Sequence, residues 1–424
     1  MRTLTLGSGG ADVQLLQLAL DRAGFGPLET DGRFGPKTRE ALIRFQTAHG
    51  LRPDGAAGPA SHRALRPWYT GYLRHRVRPG DSFWSLARHY GASPEAIARA
   101  NPGADPLRLL PGTVLTVPLP FPVVPEGIDF CSALVGFCAE GLAARHPFLR
   151  AGQIGRSVLG RPLWRLQLGR GENRVLYSAV HHANEWITAP VLLRFAEELA
   201  EACAAGGTIE GQSAAALLEY AELCLIPAVN PDGMDLVTGA LPDSAYSQAA
   251  RIGADYPRFP FPEGWKANIR GTDLNLQYPA GWEQARENKF AQGIRSPAPA
   301  DYVGPAPLSA PESRAVADFT RRFDPALVLA LHTQGEVIYW RYRGFEPVGA
   351  RQIGELFADL SGYALEDAPF ASGFAGYKDW FLQEFDRPGY TLELGRGRNP
   401  LPVSALPEIY ERIRGVLIYG AIVT

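Results

Sequence analysis

Val175-Leu176-Tyr177-Ser178-Ala179-Val180-His181-His182-Ala183-Asn184-Glu185-Trp186 opens with six apolar or small residues and then turns abruptly polar. The uninterrupted apolar run reads as a buried strand. A helical pattern begins near Pro190. The polar groups therefore fall at the mouth of a sheet, between a strand and a helix. His182 and Glu185 offer an imidazole nitrogen and a carboxylate oxygen, a donor pair that suits zinc. A catalytic zinc takes three protein ligands and keeps one position open. The motif thus calls for a third ligand and a base elsewhere in the chain.

Outward from this stretch, strand-like runs alternate with helical ones. The strands are Leu163–Gly169, Val175–Val180, Leu223–Val229, Leu327–Leu331 and Tyr390–Leu394; the helices include Val191–Ala205 and Pro311–Arg322. Such alternation predicts an α/β domain on a central sheet, with sites at the carboxyl ends of its strands. Ser309-Ala310-Pro311-Glu312 reads as a capping box. Among His146, His181, His182 and His332, the last closes the apolar run Ala326–Leu331 and so sits at a strand end. Glu393 lies inside the apolar segment Tyr390–Leu394, and burying a carboxylate is costly unless it is paired or functional. A carboxylate beside an activated water is what metal-assisted hydrolysis needs: it takes a proton and later passes one to the leaving amine.

The first part of the chain has a different texture. In residues 1–68, Thr30-Asp31-Gly32-Arg33-Phe34-Gly35-Pro36 is echoed by Pro53-Asp54-Gly55-Ala56-Ala57-Gly58-Pro59. Both are turn signals ahead of helix-like stretches. Val13, Leu15, Leu16, Leu18, Ala19 and Leu20 form one apolar face, and Ala41, Leu42, Phe45 and Ala48 another, predicting a small three-helix domain. With Gly10-Ala11-Asp12-Val13, Asp31-Gly32-Arg33-Phe34-Gly35 and Phe45-Gln46 in order, the segment resembles the peptidoglycan-binding type 1 family. Residues 73–118 read as βααβ. A strand and turn at His75–Ser82 lead to a helix that Ser82 or Asp81 can cap. A second helix covers Pro94–Ala100, and Leu110–Val117 closes as a strand. Arg78-Pro79-Gly80-Asp81-Ser82 and Pro111-Gly112 make this segment similar to a LysM domain. That resemblance implies binding of N-acetylglucosamine-containing glycans through the loops Gly80–Phe83 and Asn101–Leu107. Residues 119–126 are a Pro-rich, stiff linker.

In residues 127–424 the ordered motifs are His182-Ala183-Asn184-Glu185-Trp186, Asn230-Pro231-Asp232-Gly233, Gly271-Thr272-Asp273-Leu274-Asn275, His332, and Tyr390-Thr391-Leu392-Glu393-Leu394. Together they resemble the zinc carboxypeptidase A-type family across nearly the whole segment. The resemblance implies an α/β zinc peptidase domain whose mixed central sheet is flanked by helices. It implies one Zn2+ held by His182, Glu185 and His332, with Glu393 as general base. His181 is then a packing or supporting residue. Three departures matter. The family's Arg after the Asn of Asp-x-Asn, which with that Asn grips a terminal carboxylate, is here Leu276 beside Asn275; leucine cannot form that clamp. The family's carbonyl-polarising Arg follows a Trp; here Lys266 follows Trp265, with Arg270 as a competitor. Lys378, in Gly376-Tyr377-Lys378-Asp379-Trp380, falls where the pocket's specificity residue would lie, and a cation there suits an acidic side chain. The family's mobile tyrosine has no clear counterpart; Tyr363 and Tyr377 are both open.

Composition narrows the reading. A net charge of −2 gives no argument for nucleic acid or an anionic membrane. No apolar stretch approaches membrane-spanning length. Cys131, Cys138, Cys203 and Cys224 are too scattered for a disulfide framework and read as buried small hydrophobes. Only Lys37, Lys266, Lys289 and Lys378 are lysines among 42 basic residues, so arginine is the default cation and each lysine position stands out; Lys37 and Lys289 are read as drift. The N-terminus lacks the apolar core of a signal peptide. The expected setting is the cytoplasm, with sporulation as one possibility, or release to the cell wall. The architecture is similar to the γ-D-glutamyl-meso-diaminopimelate endopeptidases, which cut peptidoglycan stem peptides. Peptidoglycan or muropeptides are then the expected partners. A carboxypeptidase trimming muropeptide termini and a non-catalytic wall or spore-coat binder are the alternatives.

Overall fold

The computed structural model describes residues 1–370 and 373–423. The chain forms two compact units, one of Met1–Asp129 with Gly136–Ala151, the other of Phe130–Val135 with the chain from Gly152 onward.

In the first unit, α1 (Ala11–Leu20), α2 (Pro36–Ala48) and α3 (Pro59–Thr70) form the three-helix domain. The repeated Gly-Pro pairs explain two of the starts: Gly35 and Gly58 are N-caps and Pro36 and Pro59 open the helices, where a missing N–H costs nothing. The repeat extends to two equivalent glutamines. Gln17 bonds Gly32 N and Asp31, and Gln46 bonds Gly55 N and Asp54. The βααβ segment follows as β1 (Tyr72–Arg76), α4 (Phe83–Tyr90), α5 (Pro94–Ala100) and β2 (Val114–Pro118), with β1 and β2 antiparallel. Ser82 caps α4, and Ser85 returns the bond in a capping box. The strand lies a few residues earlier than expected, while α5 matches its predicted bounds.

The second unit is built on an eight-stranded mixed sheet. Its strands are β3 (Arg150–Arg156), β4 (Pro162–Gly169), β5 (Asn173–Ala179), β6 (Ala221–Ile226), β7 (Leu327–His332), β8 (Val337–Tyr339), β9 (Ala364–Glu366) and β10 (Gly389–Glu393). They lie side by side in the order β9-β8-β10-β7-β5-β6-β4-β3. The central four, β10, β7, β5 and β6, are mutually parallel, while β8 runs antiparallel to β10 but parallel to β9, and β4 runs antiparallel to β6. Buried β7 explains the continuous apolar run read from its sequence. Because the four central strands share a direction, their carboxyl ends share one edge. The His181–Glu185 turn, Asn230, His332 and Glu393 all follow or end these strands, and Glu393 pairs in register with His332.

The helices include α6 (Thr188–Ala204), α7 (Pro231–Val237), α8 (Trp282–Ala291), α9 (Pro311–Phe323), α10 (Ala350–Ser361), α11 (Tyr377–Phe385) and α12 (Leu406–Tyr419). The capping box expected before α9 does not form. Ala310 is the N-cap and makes no side-chain cap, while Ser309 Oγ donates to Gln277 and Glu312 turns inward to Val158 N and Asn268. Tertiary partners outcompeted the helix end for both side chains. The four cysteines are free, three of them buried. Among the described residues, no helix is long and apolar enough to cross a membrane.

Candidate metal centre and active-site cavity

Val180 follows the end of β5 in the left-handed region, φ 54°, a conformation that costs a β-branched residue roughly 1–3 kcal/mol. It is held there from both sides: its N–H donates to Thr188 Oγ1 at 3.0 Å, and its carbonyl accepts from Asn230 N at 2.9 Å. The turn aims His182 and Glu185 across the strand ends. Asn230 caps α7 through Gly233 N, and its amide reaches the carbonyls of His181 and Ala267. Gly233 is required here, since a Cβ would lie 2.7 Å from both Ala183 Cβ and the Ala267 carbonyl.

The result is a convergent donor set. His182 Nδ1 lies 2.9 Å from Glu185 Oε1, and His332 Nδ1 lies 2.8 Å from Glu185 Oε2. The ligand atoms of the three residues all fall within 4.8 Å of one another. Two imidazoles and one carboxylate form the His₂Glu set typical of hydrolytic zinc. The electrostatics also favour a cation. Burial opposes charge on His182, yet Glu185 and Asp273 overcome it and push the imidazole up to about 10. Burial likewise opposes charge on Glu185, but His182, Lys266 and His332 hold its carboxyl well below the usual range. A metal would replace the imidazole proton. The far nitrogen of His182, Nε2, faces Asp273 Oδ1 at 3.2 Å, the carboxylate support that commonly fixes a ligating imidazole. The residues therefore fit a zinc ion.

His181 turns away from this set, buried against Tyr278, with Nε2 3.1 Å from its hydroxyl. Desolvation pushes its pKa well below normal, so it serves as a neutral packing ring.

A cavity of about 220 Å³ opens beside the donors, and Glu393, Lys266, Asn275 and Lys378 all line it. Burial raises the Glu393 carboxyl, with Glu185 adding to the rise and His332 and Lys266 opposing it. A raised carboxylate is better matched to proton transfer near neutrality. Lys266 Nζ sits 3.4 Å from Glu185 Oε1. Burial works against its charge, but Glu185, Asp273 and Glu393 raise its pKa and keep it cationic. Lys378 is buried, donating to Arg341 O at 2.8 Å with Asp379 Oδ1 at 2.5 Å. Asn275 Oδ1 accepts from Tyr377 N, which ties it to the start of α11. Leu276 lines the wall where a guanidinium would complete a clamp, and among the described lining residues there is no arginine.

Several expectations change. Arg270 is exposed and does not line the cavity, because the tight turn at Asn268–Thr272 carries its side chain outward. The hydroxyl of Tyr377 is spent on Thr320, and that of Tyr363 on Gly395 N. Tyr377 nevertheless lines the cavity with Glu393, and so does a tyrosine not foreseen, Tyr339, whose β8 register pairs it with Thr391. Lys289, read as drift, lines the cavity and is buried. Asp273 and Asp301 complete the set that sequence reasoning passed over. Asp273 had a signal, its place two residues before Asn275, whereas Asp301 had none.

Models of three known families match the chain. Residues 9–65 match a peptidoglycan-binding domain, residues 75–118 a LysM domain, and residues 138–413 the zinc carboxypeptidase family. The gamma-D-glutamyl-L-diamino acid endopeptidase 1 of Lysinibacillus sphaericus is 44% identical over 279 residues, covering 66% of this chain and 69% of that protein. YqgT of Bacillus subtilis is 40% identical over 276 residues, covering 64% and 71%. Among solved structures, bovine thrombin-activatable fibrinolysis inhibitor aligns with a TM-score of 0.53 at 20% identity, covering 69% of this chain and 96% of that one. A carboxypeptidase A from Helicoverpa armigera aligns with a TM-score of 0.52 at 18% identity, covering 92% and 88%. At these identities the structural likeness concerns the fold.

Proposed function

Since the chain belongs to the zinc carboxypeptidase family, and is a zinc metallopeptidase with peptidoglycan-binding and LysM modules, we propose that it hydrolyses the γ-D-glutamyl–meso-diaminopimelate bond of peptidoglycan stem peptides. In this reading residues 127–424 are the catalytic domain, and residues 1–68 and 73–118 hold wall glycan.

The observation that carries the proposal is the changed cavity. The donors and base of a hydrolase are present, but the position for a carboxylate-clamping Arg is Leu276, and the cations lining the cavity are lysines. A C-terminal carboxylate has lost its bidentate partner. A diaminopimelate side chain has a cation to meet in Lys378. The relative from Lysinibacillus, named for γ-D-glutamyl-L-diamino acid cleavage, supports the same bond class.

His182, Glu185 and His332 would hold the zinc, which when bound supplies a Lewis acid that activates water and polarises the scissile carbonyl. Glu393 accepts the proton of the attacking water and returns a proton to the leaving amine of the diamino acid. Lys266 faces the developing negative charge as a point charge. Asp273 holds the His182 ring with Nδ1 toward the donors.

The test is digestion of a defined L-Ala-γ-D-Glu-meso-diaminopimelyl-D-Ala peptide by the full chain with zinc, read by mass spectrometry. Release of L-Ala-D-Glu is expected, with loss on chelation and readdition restoring it. Glu393→Gln should lower kcat by at least about 100-fold. A fully active Glu393→Gln, or release of only the C-terminal D-Ala, would overturn the proposal.

A further inference from the structure

Three of the four lysines line one cavity. In a chain that otherwise uses Arg for positive charge, this concentration asks what each lysine meets. Lys266 faces Glu185, and Lys378 lies beside Asp379. Lys289, on α8, is buried and pairs with Asp301, Nζ–Oδ1 2.6 Å. Taking a lysine out of water is costly unless its charge is paired, and at a cavity wall the charge remains available to a ligand.

The two lysine–aspartate pairs are attached to different parts of the site. Lys378 is tied to the Arg341 carbonyl, just past β8. Asp301 is tied to the metal-centre side: its N–H donates to Asp273 Oδ2, and Asp273 in turn faces His182. Two residues earlier, the Pro299 carbonyl accepts from both Lys266 N and Ala267 N. Lys289 thus belongs to the wall that carries Lys266. An ammonium has three donors, so Asp301 leaves others for a second acceptor. Asp301 is itself fixed in a left-handed conformation, φ 68°.

The substrate proposed above carries two carboxylates near the scissile bond. One lies on the diaminopimelate side chain. The other exists because the linkage runs through the γ carbon, which leaves the α-carboxylate of D-glutamate free. We propose that Lys289, held by Asp301, binds this α-carboxylate, while Lys378 serves the diamino acid. The inference rests on the γ-D-glutamyl reading of the site. It makes the Lys289–Asp301 pair the element that distinguishes a γ-linked glutamate from its α-amidated form.

The test compares two peptides, L-Ala-γ-D-Glu-meso-diaminopimelyl-D-Ala and the same peptide with the D-Glu α-carboxylate as carboxamide, using the zinc-loaded full chain. The wild type should favour the acid by roughly 10- to 100-fold in kcat/KM, the loss expected when a charge-assisted hydrogen bond is removed. Lys289→Met should lose that factor on the acid, mainly in KM, and change little on the amide. Lys289→Arg should keep a preference for the acid. A purely structural Lys289 would lower both peptides equally, and that result overturns the inference. So does a wild type that cleaves acid and amide alike, a measurement that needs no variant to fold. Cleavage of neither peptide would instead sink the γ-D-glutamyl reading, so the two failures are distinct.

Discussion

Asp273→Asn isolates the support of the metal centre from its ligands. The side chain is isosteric, so packing is preserved, but the carboxylate charge facing His182 Nε2 at 3.2 Å is lost. Asp273 makes two further contacts, accepting from Asn275 N through Oδ1 and from Asp301 N through Oδ2, each at 3.1 Å. An asparagine can keep its oxygen toward His182 and Asn275. It then turns an NH₂ toward the Asp301 N–H, donor against donor, and that bond is lost. The imidazole becomes less basic and its ring less firmly fixed. Removing such a support typically costs 10–100-fold in metal affinity, or about 1.4–2.7 kcal/mol. The assay is competition for zinc against a chromogenic chelator at a fixed pH of about 7.5, where zinc displaces the His182 proton, with kcat measured at saturating zinc. The expected result is a dissociation constant weaker by that factor, with kcat at saturation falling less. An unchanged zinc dissociation constant would refute the reasoning.

Gly233→Ala should act at the same centre through sterics. Its Cβ would meet Ala183, the Ala267 carbonyl and Asn230 Oδ1 at 2.7 Å each, so denaturant unfolding should show a loss of about 1–3 kcal/mol, accompanied by weaker zinc binding because the Ala183 segment must move; full stability would count against the close-packed turn. Stability should also depend on pH through Glu312, whose carboxyl burial pushes up from 4.5 to about 7. The folded state holds this proton where the unfolded state has lost it, so its contribution is fully present below about pH 4.5 and fades as pH rises through 7. The span is about 3 kcal/mol at ~1.36 kcal/mol per unit. Glu312→Gln should flatten this slope between about pH 5 and 7, and an unaltered slope would exclude Glu312 as its source.

Much of this protein is legible in one dimension because strand ends are. An apolar run that stops on a polar residue marks both the buried strand and the edge where it emerges. Val175–Val180 leading to His182, Leu327–Leu331 leading to His332, and Tyr390–Leu392 leading to Glu393 each announced a site position that way. The turns of the small domain were equally local: Gly-Pro and Asp-Gly pairs determine backbone geometry within a few residues. Where local rules met tertiary competition they failed. Ser309 and Glu312 had the spacing of a capping box, yet buried Gln277 and Asn268 and half-buried Val158 offered tertiary partners, and the side chains turned inward.

The sequence by itself determined the modules, the candidate donor residues and candidate base, and the absence of an arginine beside Asn275. Each of these depends on residue type and near-neighbour pattern. Only the tertiary structure decided which cations face the reaction. Arg270 sits a few residues from Lys266 but is turned to solvent, whereas Lys289 and Asp301, on a helix and a loop well separated along the chain, meet at 2.6 Å in the cavity wall. Parallel strands bring their carboxyl ends to one edge whatever lies between them in sequence. The loops and helices that return over that edge place their side chains by packing, which no local pattern encodes.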